Sequence, residues 1–439
     1  MGPEVIFYSL AFLISLVLLG VHIGIALGIT SMLGAYLITG SVDVALSIVG
    51  STAYEAIRSH ALAVIPLFVL MGEIVSRSGA ATDLYRICDR GLRRLPGRLA
   101  AATVIGNTAF AAVSGVAIAS AATFSRIAYP EMRRVGYDNG YALGVISGSA
   151  CLGMLIPPSV LLIVWAILTE GSVGALFLGG VGPGLLLALI FMLYCVVAAM
   201  LKPAIAPEAV CLDERRSEKP RTRSELFGGI GVALLVVVVL GGIWRGFFTP
   251  TEAAGFGVLG SALIGWAKKM RYRAFMGAIY DAGRTMAPIM FLLVAGSMYA
   301  RLLAMSGGIN VIQDLFSGSG LSTLGIILVM TGVWLVLGAI IDSISVILMT
   351  VPIFGPIAMA AGFDPIAFAI YGILIIEAGL LTPPVGLLIF TVKAAVPDAS
   401  VSLSDVFKGS LPYLIMLIAV ALMILAVPQL ASWLPEKLF

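Results

Sequence analysis

The chain has 439 residues, of which 60% are apolar and only 11% charged, with a net charge of +3 and a mean hydropathy of +1.09. Typical soluble domains hold roughly 45–50% apolar and about 25% charged residues, so this chain cannot clothe its surface with polar groups, and its solvent is lipid. That excludes a soluble enzyme, a nucleic-acid-binding protein and a disordered regulator, and so small a net charge gives no reason for a polyanionic partner.

A membrane-spanning helix needs about 20 apolar residues. In chain order, such runs cover residues 4–20, 22–40, 57–75, 140–172, 175–200, 227–247, 252–267, 276–304, 365–396 and 411–430. They are long and continuous, which argues for helices and against a β-barrel of short alternating strands. The only early charge is Glu4, so the first run lacks the basic flank of a cleaved signal and is expected to be retained. Residues 4–40 form either two spans or one long tilted one.

Residues 99–130 and 324–360 behave differently. Each is long enough for two short helices, and each is interrupted in its middle, by Ser114-Gly115 and by Asp342-Ser343. They read as re-entrant hairpins. The expectation is therefore an all-α polytopic membrane protein of about ten transmembrane helices plus two re-entrant hairpins. Charge placement agrees. The basic clusters at residues 86–98, 133–134, 215–223 and 268–273 all fall on one side only if 99–130 enters and leaves on that side. The positive-inside rule makes that side cytoplasmic. Residues 201–226, the one long polar stretch, read as a cytoplasmic linker.

The two halves repeat at a single fixed offset along the chain: Pro130 pairs with Pro356, Gly136 with Gly362, Asp138 with Asp364, Gly153 with Gly379, and Pro157-Pro158 with Pro383-Pro384. Five crossings separate the Pro-Pro pairs, so the copies are inverted. Inverted repeats with broken helices are the architecture of secondary transporters, with the site at the repeat interface. The chain then divides into scaffold helices at 1–98, a first repeat at 99–200, the linker at 201–226, further scaffold helices at 227–323, and a second repeat with a C-terminal helix at 324–439.

Proline accounts for the breaks. It has no N–H and clashes with the carbonyl one turn back, and it pushes the preceding residue out of helical geometry. Carbonyls freed in the hydrocarbon layer cost several kcal/mol each unless something polar meets them, and a bound cation or substrate is a natural partner. From Ser114 to Pro130 is roughly 24 Å if helical, so the first tip lies deep. Asp342 is then an ionisable group within the membrane, either part of a cation or proton site or the cap of a helix at the tip. Asn107 either reaches the site or joins two helices. Glu377 is a buried acid and a coupling candidate. Glu73 reads as an interfacial charge, His22 as packing, and Thr249 with Glu252 as a capping box.

Two histidines and no C-x-x-C pair give no expectation of a structural metal site, a cofactor or a disulfide framework. The absence of a G-x-x-x-x-G-K-[ST] motif and of a nucleophile–base constellation argues against ATP hydrolysis and against an enzyme.

The segments IPLFVLMGEIVSRSG (65–79), AAVSGVAIASAATFSRIAYPEMRRVGYD (111–138), LGMLIPPS (152–159), FTPTEAA (248–254) and GLLTPPVGLLIF (379–390) complete the picture. On them the chain resembles, over nearly its whole length, the large DctM-type membrane subunit of tripartite ATP-independent periplasmic (TRAP) transporters. One departure is Val116, where the family often carries a second Ser after Ser-Gly. The resemblance implies an elevator-type protein of the bacterial inner membrane. It implies Na⁺ as the coupling ion and import of a small organic anion, a carboxylate such as a C4-dicarboxylate or sialic acid. The implied partners are a small four-helix DctQ-type membrane subunit and a periplasmic DctP-type substrate-binding protein. A stand-alone cation/carboxylate symporter of the same superfamily is the alternative.

Carried over by position, the ion- and substrate-binding residues are Ser114, Gly115, Asp342 and Ser343 at the tips. At the breaks they are Gly153, Pro157, Pro158, Thr382, Pro383, Pro384 and Gly386. Asn107, Ser345 and Glu377 complete the expected set, with Na⁺ near Ser114, Gly115, Asp342 and Thr382.

Overall fold

A computed structural model of the chain describes residues 2–58, 60–207, 223–308, 311, 322–398 and 400–438. The core of the expected linker, with Cys211 and the basic residues at 215–221, lies outside these residues, as does Asp314. All the regular structure among the described residues is helical.

Residues 4–40 form two helices, α1 (Gly2–Leu18) and α2 (Ile23–Thr39). Gly20, at φ +81°, breaks the run, and the His22 ring caps α2 by accepting from Gly24 N. A helix that the apolar pattern did not show follows, α3 (Val42–Arg58), whose Asp43, Glu55 and Arg58 dilute its hydropathy. The span expected at 57–75 is displaced accordingly. It opens with a 3₁₀ turn, His60–Ala63, and continues as α4 (Val64–Arg77). A 67° bend then leads into α5 (Ala80–Gly91). Gly79, at φ +78°, makes the turn.

The first expected hairpin is α6 (Arg98–Ser114) and α7 (Ala117–Arg134), and the first broken helix is α8 (Asn139–Ala150), α9 (Leu152–Leu155) and α10 (Val160–Leu168). The half closes with α11 (Val173–Leu201). The second half begins with α12 (Arg223–Trp244), α13 (Pro250–Ala267) and α14 (Tyr272–Met305). The capping box at Thr249 and Glu252 is formed in both directions. The second hairpin is α15 (Thr323–Gly338) and α16 (Ser343–Ala360), the second broken helix α17 (Pro365–Leu380) and α18 (Leu387–Ala395), and the chain ends in α19 (Leu403–Ala426) and α20 (Gln429–Leu438). Among the described residues, six segments are long and apolar enough to cross a membrane. The shorter apolar helices are α1 and α2 at the start of the chain, and α15 and α17 at the second hairpin and the second break.

The repeat is visible in the helix starts. α7 and α16 begin at Ala117 and Ser343, which are equivalent positions of the two copies, and so do α8 and α17, whose caps Asp138 and Asp364 do the same work. The second tip is longer. The arms before the tips end at Ser114 and Gly338, so the ungapped pairing of Ser114 with Ile340 slips by two positions there.

Two sets of helix contacts position the site. α4 packs on α13 and α14, α2 on α14, and α5 on α12, which joins the scaffold segments of both halves. The two repeats pack on each other through α19, which lies on both α8 and α17. Glycine sets the α8–α19 approach. A Cβ at Gly144 would lie 2.0 Å from the Gly409 carbonyl oxygen, and one at Gly148 would lie 2.1 Å from the Tyr413 ring. Spaced four apart with Gly140, these residues clear one face of α8, the small-residue packing that lets membrane helices meet without a hydrophobic driving force between them. Trp165 of the first repeat stacks obliquely on Trp334 of the second, with centroids 6.1 Å apart.

Candidate functional site

Each hairpin tip is fastened to the break of its own repeat by backbone hydrogen bonds. Gly115 O accepts from Val160 N at 3.2 Å, and Ala339 O accepts from Val385 N and Gly386 N at 3.2 and 3.1 Å. The donors Val160 and Gly386 are repeat equivalents. The Pro-Pro pairs leave the N–H groups that follow them without helical acceptors, and the tips supply acceptors. Gly115 adopts φ +62°, and a Cβ there would lie 2.5 Å from Pro158 O, so both conformation and space demand glycine. Pro158 has no N–H to offer Met154 O one turn back, and the Ser159 hydroxyl donates to that carbonyl instead. One of the carbonyls expected to be free is therefore met internally.

The four helix N-termini at the tips and breaks divide in two. α10 is capped by Ser159, which accepts from Leu162 N, and α16 by Asp342, whose Oδ1 accepts from Ser345 N at 3.0 Å. Asp342 Oδ2 accepts from the Ser345 hydroxyl, so the capping role weighed from the sequence is present. The repeat equivalents lack such caps. Val116, which stands where Asp342 stands, leaves α7 without a side-chain cap, and Gly386 leaves α18 without one. Unmet N–H groups and the helix dipole make both N-termini attractive to an anion.

These termini border a cavity of about 430 Å³ between the tips and the scaffold. Ser114, Val116, Asp342 and Ser343 form its tip wall, Met154, Leu380 and Leu387 the side toward the breaks, and His22, Gly72, Glu73 and Thr285 much of the scaffold wall. α4 comes close to the first tip because Gly72 has no side chain; a Cβ there would lie 2.7 Å from Ser114 Cα.

The structure thus brings Ser114, Asp342 and Ser343 to one cavity, sets Gly386 at the helix start beside it, and keeps the other expected residues out of its lining. Gly115 is turned to Pro158, and Gly153 sits under the first tip, where a Cβ would lie 3.4 Å from Ser120 Oγ. Ser345 is fully buried against Asp342. Asn107 is fully buried and donates to Ser149 Oγ at 2.7 Å, which joins α6 to α8. Thr382 donates to Ala378 O at 2.8 Å. Pro157 and Pro158 are buried, whereas Pro383 and Pro384 are exposed. Glu377 is 1% exposed and accepts from Ser343 Oγ at 2.8 Å, while its Oε2 has no hydrogen-bond partner among the described residues.

His22, an exposed cap rather than the packing residue read from the sequence, lines the cavity with Glu73, and Thr285 joins them without having been anticipated. Local pattern gave no signal for Thr285. It reaches the site only because α14 crosses α4, a helix from the other half of the chain.

Residues 10–430 match the family model described as tripartite ATP-independent periplasmic transporter, DctM component. The chain is 34% identical to the C4-dicarboxylate TRAP transporter large permease protein DctM of Pseudomonas aeruginosa, over 88% of each chain. It is 28% identical to the sialic acid TRAP transporter large permease protein SiaM of Vibrio cholerae, over 87% of each. Its fold is similar to that of the Alcanivorax borkumensis YdaH transporter, with a TM-score of 0.59 at 12% identity, covering 92% of this chain and 89% of that one.

Proposed function

The chain belongs to the DctM-component family of tripartite ATP-independent periplasmic transporters, and on that premise we propose that it imports a small organic anion, driven by Na⁺, through an elevator movement in the bacterial inner membrane. The observation that carries this reading is the cavity shared by both hairpin tips and the scaffold, bordered by the two helix N-termini that lack side-chain caps. A carboxylate bound there accepts from the first-turn N–H groups of α7 and α18. Asp342 and Ser114 offer hard oxygen atoms to Na⁺, which travels as a co-substrate, and Thr382 and Gly115 support the same region from behind. The substrate wall belongs to the repeat helices and the opposite wall to the scaffold helices, so relative sliding of the two carries the site. The similar proteins named for C4-dicarboxylate and sialic acid favour a carboxylate substrate. A tripartite transporter with a large permease needs two further components, and we assign these to a small DctQ-type membrane subunit and a periplasmic DctP-type binding protein.

Uptake into proteoliposomes holding the chain with those two components tests the reading, using labelled dicarboxylates and sialic acid with and without an inward Na⁺ gradient. Accumulation that requires the gradient and the binding protein is expected. Accumulation by the chain alone favours the stand-alone symporter, and equilibration without any gradient overturns secondary active transport.

A further inference from the structure

A second cavity, of about 510 Å³, opens away from the hairpin tips, between α5, the first turn of α6 and the last turns of α7. Its charged side chains are mostly basic, whereas those of the first cavity are Glu73 and Asp342. Arg86, Arg90, Arg98, Arg126 and Arg134 line it, against only two acids, Asp89 and Glu131. Some of this charge is met within the chain. Arg86 and Arg90 reach Glu225 on α12 at 3.2 and 3.1 Å, and Arg134 reaches Glu131 at 2.8 Å.

Arg98 is not met in that way. It is 7% exposed, its Nε stands 3.5 Å from Asp89 Oδ1 without a hydrogen bond, and its Nη1 has no partner among the described residues. A buried guanidinium with unused N–H groups is costly unless an acceptor from outside the chain meets them. Arg126, on the opposite wall, is exposed and has no ion pair among the described residues. The floor adds positive potential, because α6 starts at Arg98 with no side-chain cap on Gly97.

We propose that this cavity binds a phosphate-bearing anion, taken from the headgroup of an anionic phospholipid or from phosphate in solution. The guanidinium fork matches phosphate oxygens in pairs. The site lies among the clusters that the positive-inside rule puts in the cytoplasm, where basic pockets between membrane helices meet anionic headgroups. The proposal uses no residue of the transport cavity and does not depend on what is transported.

Native mass spectrometry of the full chain, released from detergent, tests it with phosphatidylglycerol, phosphatidylcholine or inorganic phosphate added. Phosphatidylglycerol or phosphate is expected to be retained in preference to phosphatidylcholine. Arg126→Gln, at an exposed position that leaves folding untouched, is expected to weaken that retention by about tenfold, the loss of one charge-assisted hydrogen bond. Arg98→Gln is expected to weaken it further. Phosphatidylglycerol adducts that millimolar phosphate does not displace identify a lipid as the source, and displacement identifies a soluble anion. Equal retention of both lipids with no response to phosphate, or retention unchanged in Arg126→Gln, overturns the site.

Discussion

Cys151 and Glu377 occupy the same position in the two repeats, and their buried side chains are close neighbours. Equivalent residues of two copies related by a two-fold axis are close neighbours only where the axis passes, so the pseudo-symmetry axis of the repeats runs between them. The acid therefore sits at the centre of the repeat pair, one turn behind the cavity, tied to the second tip through Ser343. An ionisable group so deep in a membrane protein is costly to keep and by default functional.

Glu377→Gln keeps an acceptor for Ser343 and removes the ionisable group. The melting temperature in detergent is expected to stay near that of the parent chain while gradient-driven uptake falls by roughly tenfold, the expectation for a buried functional acid. Glu377→Ala also strips the Ser343 hydroxyl of its acceptor and leaves a void, at a cost of about 2–4 kcal/mol. Equal uptake by the Gln variant and the parent chain assigns Glu377 to structure alone.

Asp342 both caps α16 and faces the cavity, and two substitutions separate these roles. Asn caps a helix as well as Asp does, whereas Ala costs roughly 1 kcal/mol at such a position. Asp342→Asn is therefore expected to melt like the parent chain and to lose Na⁺-dependent uptake, while Asp342→Ala loses both. If the Asn variant transports normally, the carboxylate serves only as a cap and Na⁺ is held elsewhere. Thermal melting with and without Na⁺ gives a second readout, because an ion that binds only the folded chain raises its melting temperature, and that rise should vanish in Asp342→Asn.

The hairpins, the breaks and the repeat were legible in the sequence because each rests on covalent chemistry: proline lacks an N–H, and Gly, Ser and Asp interrupt apolar runs where chains turn. The extra length of the second tip was not, since an ungapped comparison has no means of seeing that Ser114 matches Gly338 rather than Ile340. α3 escaped because span detection reads mean apolarity and α3 carries three charges. The scaffold wall of the cavity escaped for a different reason. His22, Glu73 and Thr285 meet only through the crossing of α2, α4 and α14, and no local period encodes that crossing. The glycine stripe on α8 was visible as Gly140, Gly144 and Gly148 but carried no meaning until its partner α19 was known.

That stripe gives the sharpest packing test. Gly144→Ala places a methyl carbon 2.0 Å from the Gly409 carbonyl oxygen, backbone against backbone, with no flexible side chain to yield. Overpacking of this kind costs about 1–3 kcal/mol or more, and a large loss of folded protein in the membrane fraction is expected. Gly255→Ala on α13 is the control. A Cβ there meets nothing within 4 Å, and relief of glycine's poor helix propensity is worth roughly 0.5–1 kcal/mol. Folded yield should fall for the first variant and hold or rise for the second. Equal yields would mean that α8 and α19 separate at little cost.

Asp83 and Lys268 tie the start of α5 to the end of α13, with side chains only 8% and 10% exposed. Gly228 of α12 makes room for them, since a Cβ there would lie 2.1 Å from Asp83 Oδ2. A buried ion pair is weak evidence for stability as a pair, because desolvation of both charges offsets their attraction, but removing one partner leaves an uncompensated charge and costs about 3–5 kcal/mol. Lys268→Met should therefore lower the melting temperature strongly. Lys268→Met combined with Asp83→Leu should recover most of the loss, because two apolar side chains replace two desolvated charges. A double variant as unstable as the single one would show that the pair contributes net attraction beyond its desolvation cost, and a single variant as stable as the parent would show that water reaches Asp83.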